Sequence, residues 1–270
     1  MRYSVSRQNR CGGMGGFRGV LIDLGGVVYQ GGAALPGAVA AVSRLRAADL
    51  PFRFLTNTTS QPVSGILEKL AQIGLRAERG DIFTPVTAAR AFIEARGLRP
   101  HFLIAPALED DFRGMACGDR PAVVIGDAGD GFTYARLNEA FRHLRAGADF
   151  IALARNRYFS DAQGAPCLDV GAFVAALEYA SQREAVVLGK PDPAFFHLAV
   201  EDMGLLPQEV VMIGDDAEFD VAAAIRAGLS GYLVQTGKWR AEDTLALTPA
   251  PSGEFPDLGA AVAQILGSAG

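Results

Sequence analysis

Only three of the 270 residues are cysteine and three are histidine, and each scarcity closes off a class of chemistry. Cys11, Cys117 and Cys167 are odd in number, far apart and without a C-x-x-C spacing, which argues against both a disulfide framework and a zinc site. They read as reduced, structural thiols. No apolar run approaches the roughly 18 residues that cross a bilayer, and MRYSVSRQNRCGGMGG at the N-terminus has no apolar stretch of the signal-peptide kind. The expectation is a cytoplasmic protein with no membrane partner. Basic runs are missing too. The net charge is −5 with no Lys/Arg stripe to track a phosphate backbone, which argues against nucleic acid as a partner. His101, His143 and His197 stand at a strand start or within helical patterns, none beside a motif, and no G-x-S-x-G occurs, so a Ser/His/Asp hydrolase has no support. GGMGG precedes its strand and lacks G-K-[ST], which removes a P-loop.

What is present is half hydrophobic and one-fifth charged, enough for one large core or a core with a smaller lobe. Residues 1–16 are Gly-rich and aperiodic and read as a mobile leader. From Phe17 short β-branched runs alternate with helical patterns: GVLID and a helix from Pro36 to about Ala48, then FRFLT and a helix from Pro62 to about Ile73. Later AVVLG, a helix over Ala194–Met203, VVMIG, a helix over Glu218–Ala227 and GYLVQ repeat the rhythm. Such alternation predicts βαβ units and a parallel sheet. Between the two series lie HFLIA, AVVIG and FIALA, with helices near Tyr134–Arg145 and Gly171–Ser181. The predicted fold is therefore α/β: a doubly wound, Rossmann-like parallel-sheet core over 17–98 and 184–270, with an inserted α/β lobe over 99–183.

Ligands of open α/β sheets sit at the carboxyl ends of the strands. GVLI ends at Asp23, FRFL at Thr56, Asn57 and Thr58, AVVLG at Lys190, and VVMIG at Asp215 and Asp216 with Asp220 a turn later. Converging carboxylates repel unless a cation sits among them, and an oxygen-only set favours a hard ion such as Mg²⁺. The hydroxyl and amide after the second strand suit phosphate oxygens, a Lys adds a point charge, and an Asp can act as a covalent nucleophile. Together these features read as a phosphoryl-transfer site acting on a small phosphorylated substrate or a phosphorylated side chain. Blander roles stay open beside these: Thr56 and Asn57 also suit a helix N-cap, and Asp216 also suits turn amides.

LIDLGG, FLTNTTS, VLGKPDP and MIGDDAEFD, in that order, resemble the four motifs of the haloacid dehalogenase-like hydrolase superfamily. The insertion between the second and third resembles the α/β cap of its class IIA phosphatases, and the likeness runs from Phe17 to about Leu266. It implies that Asp23 is nucleophile and metal ligand, that Thr56 and Asn57 hold the phosphoryl group, and that Lys190 neutralises charge. It further implies Mg²⁺ ligation by Asp215, with Asp216 and Asp220 ligating or ordering its waters. The family's second Asp, which protonates the leaving group, is Gly25 here, although the backbone carbonyl that also ligates the metal survives. A general acid contributes typically about 10²–10⁴-fold, so its loss costs least where the leaving group departs easily, as in pyrophosphate and phosphoramidates. The alternative is a phospho-ligand-binding or regulatory protein with little turnover.

Two features fall on the inserted lobe. IGDAGDG imitates IGDDAEFD but has no Lys-Pro segment ahead of it, and reads as a cap loop facing the cleft. In ARNRYFSDAQG, Arg155, Arg157 and Tyr158 follow a strand end, where they suit either a second anionic group of the substrate or a solvated loop. The lobe also leaves room for a homodimer formed through the cap.

Overall fold

The computed structural model describes residues 16–59, 61–160, 165–242 and 247–267. The expected leader thus lies outside the described residues except for Gly16. The strands run in chain order as β1 (Gly19–Asp23), the short pair β2 (Tyr29–Gln30) and β3 (Ala33–Ala34), β4 (Phe52–Leu55), β5 (Ile82–Phe83), β6 (Leu98–Leu103) and β7 (Arg120–Ile125). They continue with β8 (Asp149–Ala152), the pair β9 (Tyr158–Ser160) and β10 (Pro166–Leu168), β11 (Val186–Val187), β12 (Val210–Gly214), β13 (Ser230–Val234) and β14 (Gly253–Phe255). The helices are α1 (Ala38–Ala47), α2 (Val63–Gln72), α3 (Pro85–Arg96), α4 (Tyr134–Arg145), α5 (Val170–Ser181), α6 (Pro193–Asp202), α7 (Ala223–Arg226) and α8 (Leu258–Gly267).

The main sheet has six parallel strands in the order β14-β13-β12-β1-β4-β5. Its central strand, GVLID, is buried at every position, which is why it reads as a continuous apolar run rather than an alternating one. Alternation still divides its side chains: Leu21 joins a cluster with α3 and α6 residues, while Val20 and Ile22 join one with α1, α2 and α8 residues. Helices therefore cover both faces, as a doubly wound sheet requires.

A second sheet of four parallel strands, β11-β8-β7-β6, is built from the chain between β5 and β12. One face packs toward α3 and α6 through Val124, Ile151 and Leu153; the other carries α4 and α5 over Leu103, Val123 and Ile125. This corrects one expectation. AVVLG is not a strand of the main sheet, because Val186 and Val187 pair with Ile151 and Ala152 of β8. A two-residue run alternating with helices says nothing about which sheet will accept its edge. A second difference lies at Glu218–Ala227, where a π-type turn over Ala217–Ala222 precedes the four-residue α7. Cys117, expected to be structural, is exposed. No helix among the described residues is long and apolar enough to cross a membrane.

Candidate active site

Asp23, Gly25, Thr56, Asn57, Thr58, Arg155, Arg157, Tyr158, Lys190, Asp215, Asp216 and Asp220 all line one cavity of about 1140 Å³ between the two sheets. At its floor Asp23 ends β1 at the centre of the main sheet, beside β12, which delivers Asp215. One carboxylate oxygen each from Asp23, Asp215 and Asp220 lies within 4.8 Å of the others, and all three residues are buried. The Lys190 ammonium hydrogen-bonds Asp23 and donates to Asp220 Oδ1 at 2.7 Å. Three carboxylates against this one ammonium leave two negative charges when ionised. The donor set is oxygen-only, so these residues fit a hard divalent ion such as Mg²⁺.

The fold makes each placement specific. Gly26 and Gly237 pack against each other beside Asp215: a Cβ at either would stand 2.0 or 1.9 Å from Asp215 Oδ2, and both have positive φ, 82° and 60°. Only glycine fits there. The Lys238 N–H donates to the same Oδ2 at 2.7 Å, and the Thr236 hydroxyl donates to the Gly26 carbonyl at 2.5 Å, joining the turn after β1 to the loop after β13. Asp220 reaches back along the π-type turn and accepts from the Asp216 N–H at 3.3 Å. Such turns are frequent at functional sites because the extra residue re-aims a side chain.

Two expected residues do other work. Asp216 stands outside the carboxylate cluster. Its oxygens accept from the Phe219 N–H at 2.9 Å and lie 3.4 Å from the Lys238 ammonium, because neighbouring side chains in this turn diverge. The Asn57 side chain turns to the Lys190 backbone, donating to its carbonyl at 2.7 Å and accepting from its N–H at 2.8 Å. Thr56 and Thr58 stay at the cavity wall with their hydroxyls 2.9 Å apart. Gly25 also lines the cavity, and a Cβ there would meet nothing within 4 Å. Arg157 and Tyr158 enter the wall from the second sheet's side, whereas Arg155 donates to Glu178 Oε2 at 2.6 Å. The IGDAGDG loop, expected to face the cleft, does not line this cavity; its Asp127 caps the Gly129 N–H at 3.0 Å. Gly26, Tyr29, Gly237 and Lys238 line it without having been singled out. The strand-end rule, applied to GYLVQ-TGKW, would have found the last two.

Burial sets the electrostatics. It pushes the carboxyl of Asp23 up, against the pull of Lys190, and that of Asp215 up, against the Lys238 N–H. Asp220 is pushed up to about 6, chiefly by burial, with Lys190 opposing and Asp23 adding to the rise. Burial opposes the charge on Lys190, but Asp220 and Asp23 outweigh it and hold the ammonium well above its ordinary pKa. A consequence follows for the metal-free protein. Between the ordinary 3.8 and about 6 the folded chain keeps a proton on Asp220 that the unfolded chain has lost. That contribution is complete below 3.8 and is lost as pH rises through 6. Relative to Asp220→Asn, native stability in EDTA is expected to fall by about 1–3 kcal/mol from pH 4 to 7; parallel urea-denaturation profiles would refute this.

The fold and the four-strand-end site define the haloacid dehalogenase-like hydrolases, and the chain belongs to that family. The haloacid dehalogenase-like hydrolase model matches residues 20–128 and a second model of HAD-like hydrolases matches residues 187–261. Among curated proteins the chain is 44% identical over 234 residues to haloacid dehalogenase-like hydrolase domain-containing protein 2 of Bos taurus, covering 87% of this chain and 90% of that one. It is 39% identical over 236 residues to phospholysine phosphohistidine inorganic pyrophosphate phosphatase of Bos taurus, covering 85% and 87%. Among solved structures, glycerol phosphate phosphatase from Mycobacterium tuberculosis in complex with magnesium superposes with a TM-score of 0.77 at 28% identity, covering 90% of this chain and 76% of that one. The chain is accordingly an enzyme of the hydrolase class.

Proposed function

We propose that the chain is a Mg²⁺-dependent phosphatase that works through an aspartyl-phosphate on Asp23 and favours phosphoryl groups with good leaving groups. The observation that carries this reading is the convergence of Asp23, Asp215 and Asp220 within 4.8 Å around the Lys190 ammonium at the floor of the cavity. Phosphatases among its relatives and the magnesium in the mycobacterial neighbour support it. Asp23, Asp215, Asp220 and the Gly25 carbonyl would hold Mg²⁺, which supplies charge neutralisation on the phosphoryl oxygens.

The chain's own residues do the rest. The substrate's phosphoryl group is held at the wall formed by Thr56 and Thr58. An Asp23 oxygen attacks phosphorus, the bond to the leaving oxygen or nitrogen breaks, and the electron pair departs with the leaving group. Water then attacks the aspartyl-phosphate, its proton passes to solvent, and phosphate leaves with the Asp23 carboxylate restored. Lys190 pulls Asp23 toward its ionised form and balances charge through both steps, and Asn57 positions Lys190 through its backbone. No carboxyl at position 25 hands a proton to the leaving group, so pyrophosphate and phosphoramidates fit better than alkyl monoesters. The test is Mg²⁺-dependent phosphate release from pyrophosphate, a phosphoramidate and a sugar phosphate; a preference for the sugar phosphate sinks the leaving-group reading. A protein that binds these ligands without turnover is the second reading, favoured by Gly25 alone.

Arg157 gives the cavity a positive charge on the second sheet's side, suited to the distal phosphate of a diphosphate. Arg157→Ala is expected to raise KM for pyrophosphate about 10–100-fold, the worth of a charged hydrogen bond. KM for p-nitrophenyl phosphate should stay within about twofold on the same argument. Equal effects on both substrates would remove the assignment.

A further inference from the structure

The second sheet carries another cluster of ligand side chains on the face turned away from the cavity. β6 is the edge strand of that sheet, and its alternation puts His101 on the same side as Leu103, which packs with α4 and α5 residues, and opposite Phe102, which packs toward α3. On α4, Glu139 and His143 are four residues apart and so lie on one side of the helix. The His101 and His143 rings face each other with centroids 4.7 Å apart. His101 Nδ1 lies 3.9 Å from Glu139 Oε1. One donor atom from each of the three residues falls within 4.8 Å of the other two.

A separation of 3.9 Å is too long for a hydrogen bond. It is near the roughly 3.3 Å that separates two ligands each held ~2.0–2.1 Å from a tetrahedral ion. Two imidazoles and one carboxylate are a zinc donor set, with a fourth position for water; Mg²⁺ has no preference for such nitrogens. Arg136, the cation on the preceding turn of α4, spends its guanidinium on the Gly131 and Phe102 carbonyls at 3.3 Å each. Glu139 is exposed and both histidines are half-buried, so the donors are reachable from solvent and yet anchored to two elements. None of the three lines the cavity that holds Asp23.

We propose that His101, Glu139 and His143 bind Zn²⁺ and clip the edge strand β6 to α4, at a site separate from the carboxylate cluster. Calorimetric titration of the full chain with ZnCl₂, in excess Mg²⁺ to fill the carboxylate cluster, tests this. Native protein should take up one zinc through this site and gain thermal stability with it. His143→Ala and the near-isosteric Glu139→Gln should each weaken that binding at least about tenfold and lose the zinc-induced Tm rise. Both should release phosphate at the native rate in zinc-free buffer. Titrations of the variants that match the native one, or native protein with no saturable zinc binding, overturn the proposal.

Discussion

Asp23→Asn is expected to lower Mg²⁺-dependent phosphate release by at least about 10⁴-fold, the scale seen when a covalent nucleophile is removed from a preorganised site. The substitution keeps the side chain's size and an oxygen that can accept from Lys190, so the hydrogen bond at the floor of the cavity has a replacement. Burial already disfavours the Asp23 carboxylate, and a neutral amide relieves that penalty, so the folded state should be no less stable than native. The loss would therefore report chemistry and not unfolding, and equal or higher Tm by calorimetry checks that point. Activity within tenfold of native would remove Asp23 from the nucleophile's role and with it the covalent mechanism.

Gly25→Asp should act in the opposite direction and should act selectively. A Cβ at position 25 meets nothing within 4 Å, and Gly25 is not among the glycines with positive φ, so an Asp side chain can enter the cavity without displacing backbone. Placed there, its carboxyl can hand a proton to a departing alkoxide. Turnover of a sugar phosphate is expected to rise by about 10²–10⁴-fold, the ordinary contribution of a general acid. Pyrophosphate and a phosphoramidate, whose leaving groups need less help, should gain far less, so the ratio of kcat/KM between the substrate classes would shift by orders of magnitude. If native protein turns over none of them and Gly25→Asp creates activity on all, the binding reading replaces the catalytic one. If the variant gains equally on every substrate, leaving-group chemistry does not explain the glycine.

Much of this was legible in the chain because it rests on local pattern. Continuous apolar runs ending in polar residues gave away β1 and β12, since a strand buried on both faces has no alternation and its first polar residue marks the sheet's edge; β4 keeps the same pattern apart from Arg53. The boundaries of α4 follow from the Thr133 N-cap and the basic last turn. What was not legible depends on partners far along the chain. That β11 joins the second sheet is decided by its pairing with β8, and the two pairs β2-β3 and β9-β10 are too short to carry a period. For Asp216 the residues left a ligand role and a turn-amide role both open, and what separates it from Asp215 is the pair of glycines that hold Asp215 among the other carboxylates. Likewise the bond from the Asn57 side chain to the Lys190 backbone, more than a hundred residues away, has no local sign in the sequence.

That contact also joins the two sheets at the site. Lys190 follows a strand of the second sheet, whereas the carboxylates it balances stand on the first. Asn57 ties the Lys190 peptide to the end of β4, so the ammonium keeps register with the main sheet. The charge balance at the floor of the cavity is thus shared between the sheets: the second supplies the strand that leads to Lys190, and the first, through Asn57, fixes where its ammonium stands.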